Sequence, residues 1–287
     1  MTAQPHFQPK PEWLRVPANS GATNQAVTAL LRSLDLHTVC EEASCPNCGE
    51  CFGNRTAAFM ILGRDCTRRC TFCCVSKGLP QPPDPAEPER VAAAAASLNL
   101  LHVVVTSVTR DDLPDGGASH FVRVTEAIRT WPTDSHPTIE LLIPDFQGDE
   151  AALRQVVAAR PDVLNHNIET VPRLYPAVRP QADYRRSLDL LGRARRLDNR
   201  LTTKSGIMVG LGETPAEVLA VMADLRRQDC RMLTIGQYLA PTRQHHPVID
   251  YVTPAQFARY RDAALQAGFA DVSAGPLVRS SYHAKPL

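Results

Sequence analysis

Ala57-Ala58-Phe59-Met60-Ile61-Leu62-Gly63-Arg64-Asp65-Cys66-Thr67-Arg68-Arg69-Cys70-Thr71-Phe72-Cys73 carries a compact apolar run directly into a loop with three cysteines. The run reads as a buried strand, and the same beat continues downstream. After the proline-rich stretch 80–88 the spacing predicts a helix over 88–98, strand 102–106 with helix 119–129, and strand 138–143 with helix 149–158. Strand 163–167 with helix 184–197, strand 202–209 with helix 215–228, and strand 232–236 with helix 254–267 complete six strand–helix units. Apolar strands each followed by a helix imply a parallel sheet covered on both faces. Six units fall short of the eight that close a barrel. The expected fold is therefore α/β, a partial (β/α)6 TIM-type barrel whose ligands sit at the carboxyl ends of its strands.

Upstream of the strand, Pro5, Pro9, Pro11 and Pro17 remove backbone donors, which predicts an extended arm over residues 1–22. Val27, Leu30, Leu31 and Leu34 recur at helical spacing and predict a helix over 24–36. The 287 residues carry 31 Lys+Arg against 30 Asp+Glu, a net charge of +1. That balance argues against a chain that coats nucleic acid or binds membranes electrostatically, so neither is an expected partner. With 44% hydrophobic and 21% charged residues the chain is a folded globular protein. The longest uncharged run, 91–109, is broken by Ser97, Asn99, His102 and Ser107 and reads as a helix turning into a strand, not as a membrane span.

Eight of the nine cysteines (Cys40, Cys45, Cys48, Cys51, Cys66, Cys70, Cys73 and Cys74) fall within residues 40–74, and Cys230 stands apart. The N-terminal residues are polar and proline-rich, without an apolar signal segment or an Arg-rich transit helix. Metal ligation in a reducing cytoplasm is the better reading than a disulfide framework. Cys66, Cys70 and Cys73 form Cys-x3-Cys-x2-Cys after the first predicted strand. Three thiolates so spaced can hold three irons of a [4Fe–4S] cube and leave the fourth open, whereas structural zinc wants four N or S ligands.

Cys66-Thr67-Arg68-Arg69-Cys70-Thr71-Phe72-Cys73 resembles the signature of the radical S-adenosylmethionine enzymes. The resemblance narrows upstream: Cys40-Glu41-Glu42-Ala43-Ser44-Cys45-Pro46-Asn47, followed by Gly49-Glu50-Cys51, looks like the auxiliary-cluster motif of the lipoyl synthase family. Arg279-Ser280-Ser281-Tyr282 looks like that family's closing motif. The stretches 106–113, 165–167 and 203–206 also match, so the likeness extends from residue 40 to 282. It implies two [4Fe–4S] clusters, one on Cys66, Cys70 and Cys73, the other on Cys40, Cys45, Cys51 and Ser281, with Ser280 as the alternate. It also implies S-adenosylmethionine, reductively cleaved to a 5′-deoxyadenosyl radical, and two sulfur insertions at C6 and C8 of an octanoyl-lysine, drawn from the auxiliary cluster. The implied partners are an octanoylated lipoyl-carrier protein or domain, a reducing electron donor, and a protein that rebuilds the auxiliary cluster. A sulfur-inserting enzyme of the biotin synthase type is the alternative, and a non-catalytic iron–sulfur or zinc module is a third.

On this likeness residues 1–56 form the arm and auxiliary-cluster segment, 57–268 the barrel, and 269–287 a closing tail. Thr106 and Ser107, at the end of the second strand, and Asn165, Asn167 and Glu169, at the end of the fourth, are the expected contacts to S-adenosylmethionine. Met208 joins them in a glycine-rich strand end that resembles the adenine-side motif. No catalytic residue is assigned beyond the cluster ligands. Cys48 and Cys74 fall outside the ligand spacing and are bystanders, and Cys230 is an ordinary buried thiol. Arg110 with Asp111 and Asp112, and Lys204 with Ser205, either orient a ligand or form surface pairs. The His245-His246 pair is expected to face solvent, with no histidine ligand.

Overall fold

The six apolar runs all become strands, and two further strands join them. The computed structural model describes residues 9–15, 22–38, 47, 51, 56–133 and 136–281. In chain order the strands are β1 (His37–Thr38), β2 (Thr56–Ile61), β3 (His102–Ser107), β4 (Thr138–Leu142), β5 (Val163–Asn165), β6 (Thr202–Val209), β7 (Met232–Gln237) and β8 (Asp271–Gly275). They lie in one sheet in sequence order. β1 pairs antiparallel with β2, and every pairing from β2 to β8 is parallel. β8 does not pair back to β1, so the barrel is open.

The helices are α1 (Ala22–Ser33), α2 (Glu87–Ser97), α3 (Ala118–Thr130), α4 (Glu150–Ala158), α5 (Tyr175–Val178), α6 (Tyr184–Leu197), α7 (Pro215–Arg227) and α8 (Pro254–Gln266). Those from α2 onward follow β2 to β7, which gives the six expected units. β8 is a seventh parallel strand, lying inside the segment expected to be a tail. Within the arm, Glu12–Leu14 makes a 3-10 turn that buries Leu14; residues 1–8 and 16–21 lie outside the described residues. Helix α1 stops at Ser33, short of the expected 36. Asp35 takes a left-handed φ of 49° and the Leu36 amide turns back to the Leu31 carbonyl.

Helix starts are set by local side chains. Asp149 accepts from the amides of Ala151 and Ala152, Asp183 from Arg186 and Thr253 from Gln256, while Thr214 and Glu217 form a reciprocal capping box. Each such cap is worth about 1 kcal/mol. Pro215 and Pro254 open α7 and α8, where a missing N–H costs nothing.

Strand alternation then sorts the side chains. Phe59, Ile61, Val103, Val105, Ile139, Leu141, Leu164, Ile207, Val209, Leu233 and Ile235 pack in the large core with the helices. The opposite face is different in kind. Ala58 and Val104 form a small separate apolar cluster with Leu142, and on the same parity as Leu142 stands Glu140. Lys204 Nζ donates to both Glu140 oxygens at 3.0 and 2.9 Å, and Asn165 Nδ2 donates to Oε1 at 2.7 Å. Lys204 and Glu140 are 2% and 1% exposed. Burial alone would push the Glu140 carboxyl up; the Lys204 charge, with His102 3.6 Å away, holds it below the usual carboxylate range instead. Lys204 is thus a barrel-interior residue, and its expected alternative of a surface pair does not apply.

Candidate active site

Because β2 to β8 run the same way, everything that follows their carboxyl ends gathers at one mouth. The loop after β2 brings Cys66, Cys70 and Cys73 there, all half-buried, while Cys74 is exposed. The loop is braced on every side. The Cys66 amide donates to the Ser76 carbonyl at 2.8 Å, and Thr67 donates through both its amide and hydroxyl to the Thr109 carbonyl at 3.1 and 3.0 Å. Arg68 reaches outward with Nε and Nη2 to Asp111 at 2.7 and 2.9 Å and with Nη2 to Asp145 at 2.6 Å, where Arg186 Nε donates from the other side at 2.8 Å. Burial opposes ionisation of Asp145, but the Arg68 hydrogen bond and charge override it and hold the carboxyl well below the usual range.

Thr71 is gripped from two directions. Its amide and hydroxyl donate to the carbonyls of Val178 and Ala177 at 3.0 and 2.8 Å, and its own carbonyl accepts from the His246 amide at 2.9 Å. His245 donates from Nε2 to the Cys73 carbonyl at 3.2 Å, with Thr242 Oγ1 2.9 Å from its other ring nitrogen. The His245-His246 pair is therefore half-buried and structural, which corrects the expected solvent-facing loop. Phe72 packs with Met208, Leu211 and Tyr238, an apolar shelf beside the cysteines. Arg110 is buried, donating to the Leu62 carbonyl at 3.2 Å and to Asp112, so it fastens the loop start to the end of β3.

Three free thiols at one mouth are the donor type that an iron–sulfur cluster takes. Burial pushes the Cys70 thiol up and the Cys73 thiol to about 12, with the neighbouring cysteines adding to the rise at Cys73. Binding a metal would displace the thiol proton. Among the described residues no three His, Cys, Asp or Glu side chains converge to hold one metal ion.

Around the mouth, Asn167 Nδ2 donates to Glu169 Oε1 at 3.1 Å, and the Glu169 backbone pairs with β6 by accepting from the Met208 amide at 2.8 Å. Glu169 holds a left-handed φ of 65° to do so, and burial pushes its carboxyl up. Ser107 Oγ and Asn167 Oδ1 are buried with no partner among the described residues, which is what a polar ligand in the mouth would satisfy. A Cβ at Gly206 would come within 2.7 Å of Asn167 Oδ1, so only glycine lets that amide lie against β6. Thr106 and Asn165 spend their donors inside the protein, on the Leu142 carbonyl at 2.8 Å and on Glu140. His166 is held neutral by burial, between the Ile143 carbonyl and Ser187 Oγ.

For the second cysteine group, Cys51 is half-buried and its amide donates to the Asn47 carbonyl at 3.0 Å. Asn47 is buried and its Nδ2 donates to the Leu277 carbonyl at 2.6 Å, across 230 residues of chain. Ser280 and Ser281, a few residues on, are half-buried. Cys40, Cys45, Cys48 and Tyr282 lie outside the described residues.

The Radical SAM superfamily profile matches residues 60–225. Lipoyl synthase of Caldanaerobacter subterraneus subsp. tengcongensis is 59% identical over 96% of this chain and 95% of its own length. That of Geobacter sulfurreducens is 58% identical over 96% of this chain and 89% of its own. The chain belongs to the lipoyl synthase family. Its fold is shared with more distant solved structures: methylornithine synthase (PylB) has a TM-score of 0.55 at 14% identity, over 94% of this chain and 84% of that one. The hydrogenase maturase HydG from Carboxydothermus hydrogenoformans has a TM-score of 0.57 at 16% identity, over 92% and 68%. Membership brings with it one [4Fe–4S] cluster and S-adenosylmethionine. The sequence motifs could point to the cysteines but not to the roles of Arg68 or His245, whose partners come from distant segments.

Proposed function

We propose that this chain is a lipoyl synthase that inserts two sulfur atoms, at C6 and C8, into an octanoyl group borne on a lysine of a carrier protein or domain. The observation that carries the chemistry is the half-buried Cys66, Cys70 and Cys73 loop at the mouth of an open barrel, together with buried polar atoms on Ser107 and Asn167 that lack partners among the described residues. When bound, the clusters and S-adenosylmethionine supply an electron, a carbon radical able to take hydrogen from an unactivated C–H bond, and sulfur. Cys66, Cys70 and Cys73 would hold the first cluster. Ser107, Asn167 and Glu169 would orient S-adenosylmethionine by hydrogen bonding, and Met208 and Phe72 would shield it from water, while Thr106 and Asn165 stiffen the strand ends from within.

A second [4Fe–4S] cluster on Cys40, Cys45, Cys51 and Ser281 completes the proposal. The Asn47 to Leu277 hydrogen bond supports it, because it draws the segment containing Cys51 toward the tail containing Ser281. A serine oxygen is a harder donor than thiolate and is released more readily from soft iron. Residues 1–56, 57–268 and 269–287 then divide the work into sulfur supply, radical generation and closure. An electron donor and a cluster-rebuilding protein complete the cycle, in the cytoplasm. Among the described residues no helix is long and apolar enough to cross a membrane.

Single-turnover assays with an octanoylated carrier peptide test this. Cys66→Ala, Cys70→Ala or Cys73→Ala should abolish 5′-deoxyadenosine formation, and Cys45→Ala should retain it while yielding no sulfur-containing product. Ser281→Ala and Ser281→Cys should both lose most lipoyl product. Wild-type yield from both would move the ligand to Ser280, and full sulfur insertion by Cys45→Ala would sink the second cluster.

A further inference from the structure

Arg179, which follows α5, is a buried cation that forms no ion pair among the described residues. It is 9% exposed, and its Nη1 donates only to neutral groups: the carbonyls of Asn167 and Ile168 at 3.1 and 3.3 Å and the Tyr175 hydroxyl at 3.2 Å. The guanidinium lies 5.4 Å from the centroid of the Tyr175 ring. Its Nε is buried with no partner, and Arg179 enters none of the ion pairs formed among the described residues. Glu169, the nearest carboxylate in charge terms, spends an oxygen on Asn167 instead. An unpaired buried charge is expensive, so a fold that keeps one keeps it for a counter-charge.

The backbone shows where that counter-charge lies. Thr71 clips to Ala177 and Val178, and the Arg69 amide donates to Gln181 Oε1 at 2.6 Å, so residues 177–181 run alongside 69–71. Arg179 thereby lies on the segment that runs beside Cys70.

We propose that Arg179 is the counter-charge of the cluster on Cys66, Cys70 and Cys73, and that it sets the cluster's reduction potential. The inference rests on those cysteines being the ligands. Adding an electron makes the cluster and its thiolates more negative by one charge. A fixed cation nearby in a poorly solvated setting stabilises that reduced state and raises the potential. Arg179 acts through the cluster and is a positioning residue.

The test is an EPR-monitored redox titration of the anaerobically reconstituted chain in a Cys45→Ala background, so that one cluster reports. Arg179→Gln should lower the ratio of reduced to oxidised cluster about tenfold at a fixed potential, a negative shift of about 59 mV for one electron. Arg179→Lys should stay close to the parent, and Tyr175→Phe, which keeps the charge, should not move it. An unshifted Arg179→Gln, or an Arg179→Lys shifted equally far, overturns the proposal. So does an Arg179→Gln with the parent potential that needs more S-adenosylmethionine to perturb the spectrum, since the cation would then serve the ligand's carboxylate. If Arg179→Gln binds no iron, Arg179→Lys decides on the same terms. A parent chain that binds no cluster at all would instead remove the cysteine assignment beneath it.

Discussion

Arg68 occupies a position between two cysteines of the proposed cluster loop and yet spends itself on carboxylates 43 and 77 residues away. Arg68→Ala should destabilise the chain by about 3 kcal/mol, the low end for breaking a buried pair, because Arg186 still bonds Asp145. Chemical denaturation of the metal-free protein measures it, and Arg68→Lys should recover only part, lacking the fork that serves two carboxylates. The pH dependence has a definite sign. The Asp145 carboxyl is depressed in the folded state, so its contribution is fully present above its unfolded value near 3.8 and is lost as pH falls through the folded value. The stability advantage of the parent over Asp145→Asn should therefore be constant from pH 7 to 5 and shrink below pH 4. An advantage that grows toward low pH would contradict the ion-pair account.

At the scale of elements, β4, β5 and β6 are tied through the barrel interior by Glu140, Asn165 and Lys204. Lys204→Met leaves the Glu140 carboxylate buried without its cation, at a cost of about 3–5 kcal/mol. Glu140→Gln combined with Lys204→Met should recover most of that loss, because Asn165 keeps an amide oxygen to donate to. Equilibrium urea unfolding of the two variants checks the pair, and equal destabilisation would refute it. The same three strands show what could be read in advance. Their apolar outward faces and the helices that follow gave boundaries within about two residues, whereas the inward Glu140–Asn165–Lys204 group links positions up to 64 residues apart and had no local signal. β1 and β8 carried no such signal. β1 has only two residues, and β8, Asp-Val-Ser-Ala-Gly, is a strand by virtue of its pairing with β7. In the site, Cys66, Cys70 and Cys73 were legible because their spacing is local. His245 on the Cys73 carbonyl, 172 residues away, exists only once the chain is folded.

Across the whole molecule, one side-chain amide links the chain's first fifth to its last few residues. Asn47→Ala should release the tail from the Cys51 segment, so iron in the reconstituted protein should fall from about eight toward about four per chain, while 5′-deoxyadenosine formation survives. Unchanged iron would show that the tail is held elsewhere. The open sheet has a second consequence, for self-association. A barrel that does not close leaves a bare edge, and such edges recruit other chains unless they are poor templates. Of its two edge strands β1 has only two residues, and β8 has five, opening on a charge and closing on a glycine. Substituting Ser273 and Gly275 with valine would lengthen its β-prone stretch, and light scattering at rising concentration should show chains adding to one another there. On this account the weakness of β8 as a strand should keep chains apart, and unchanged scattering from the valine variant would refute it.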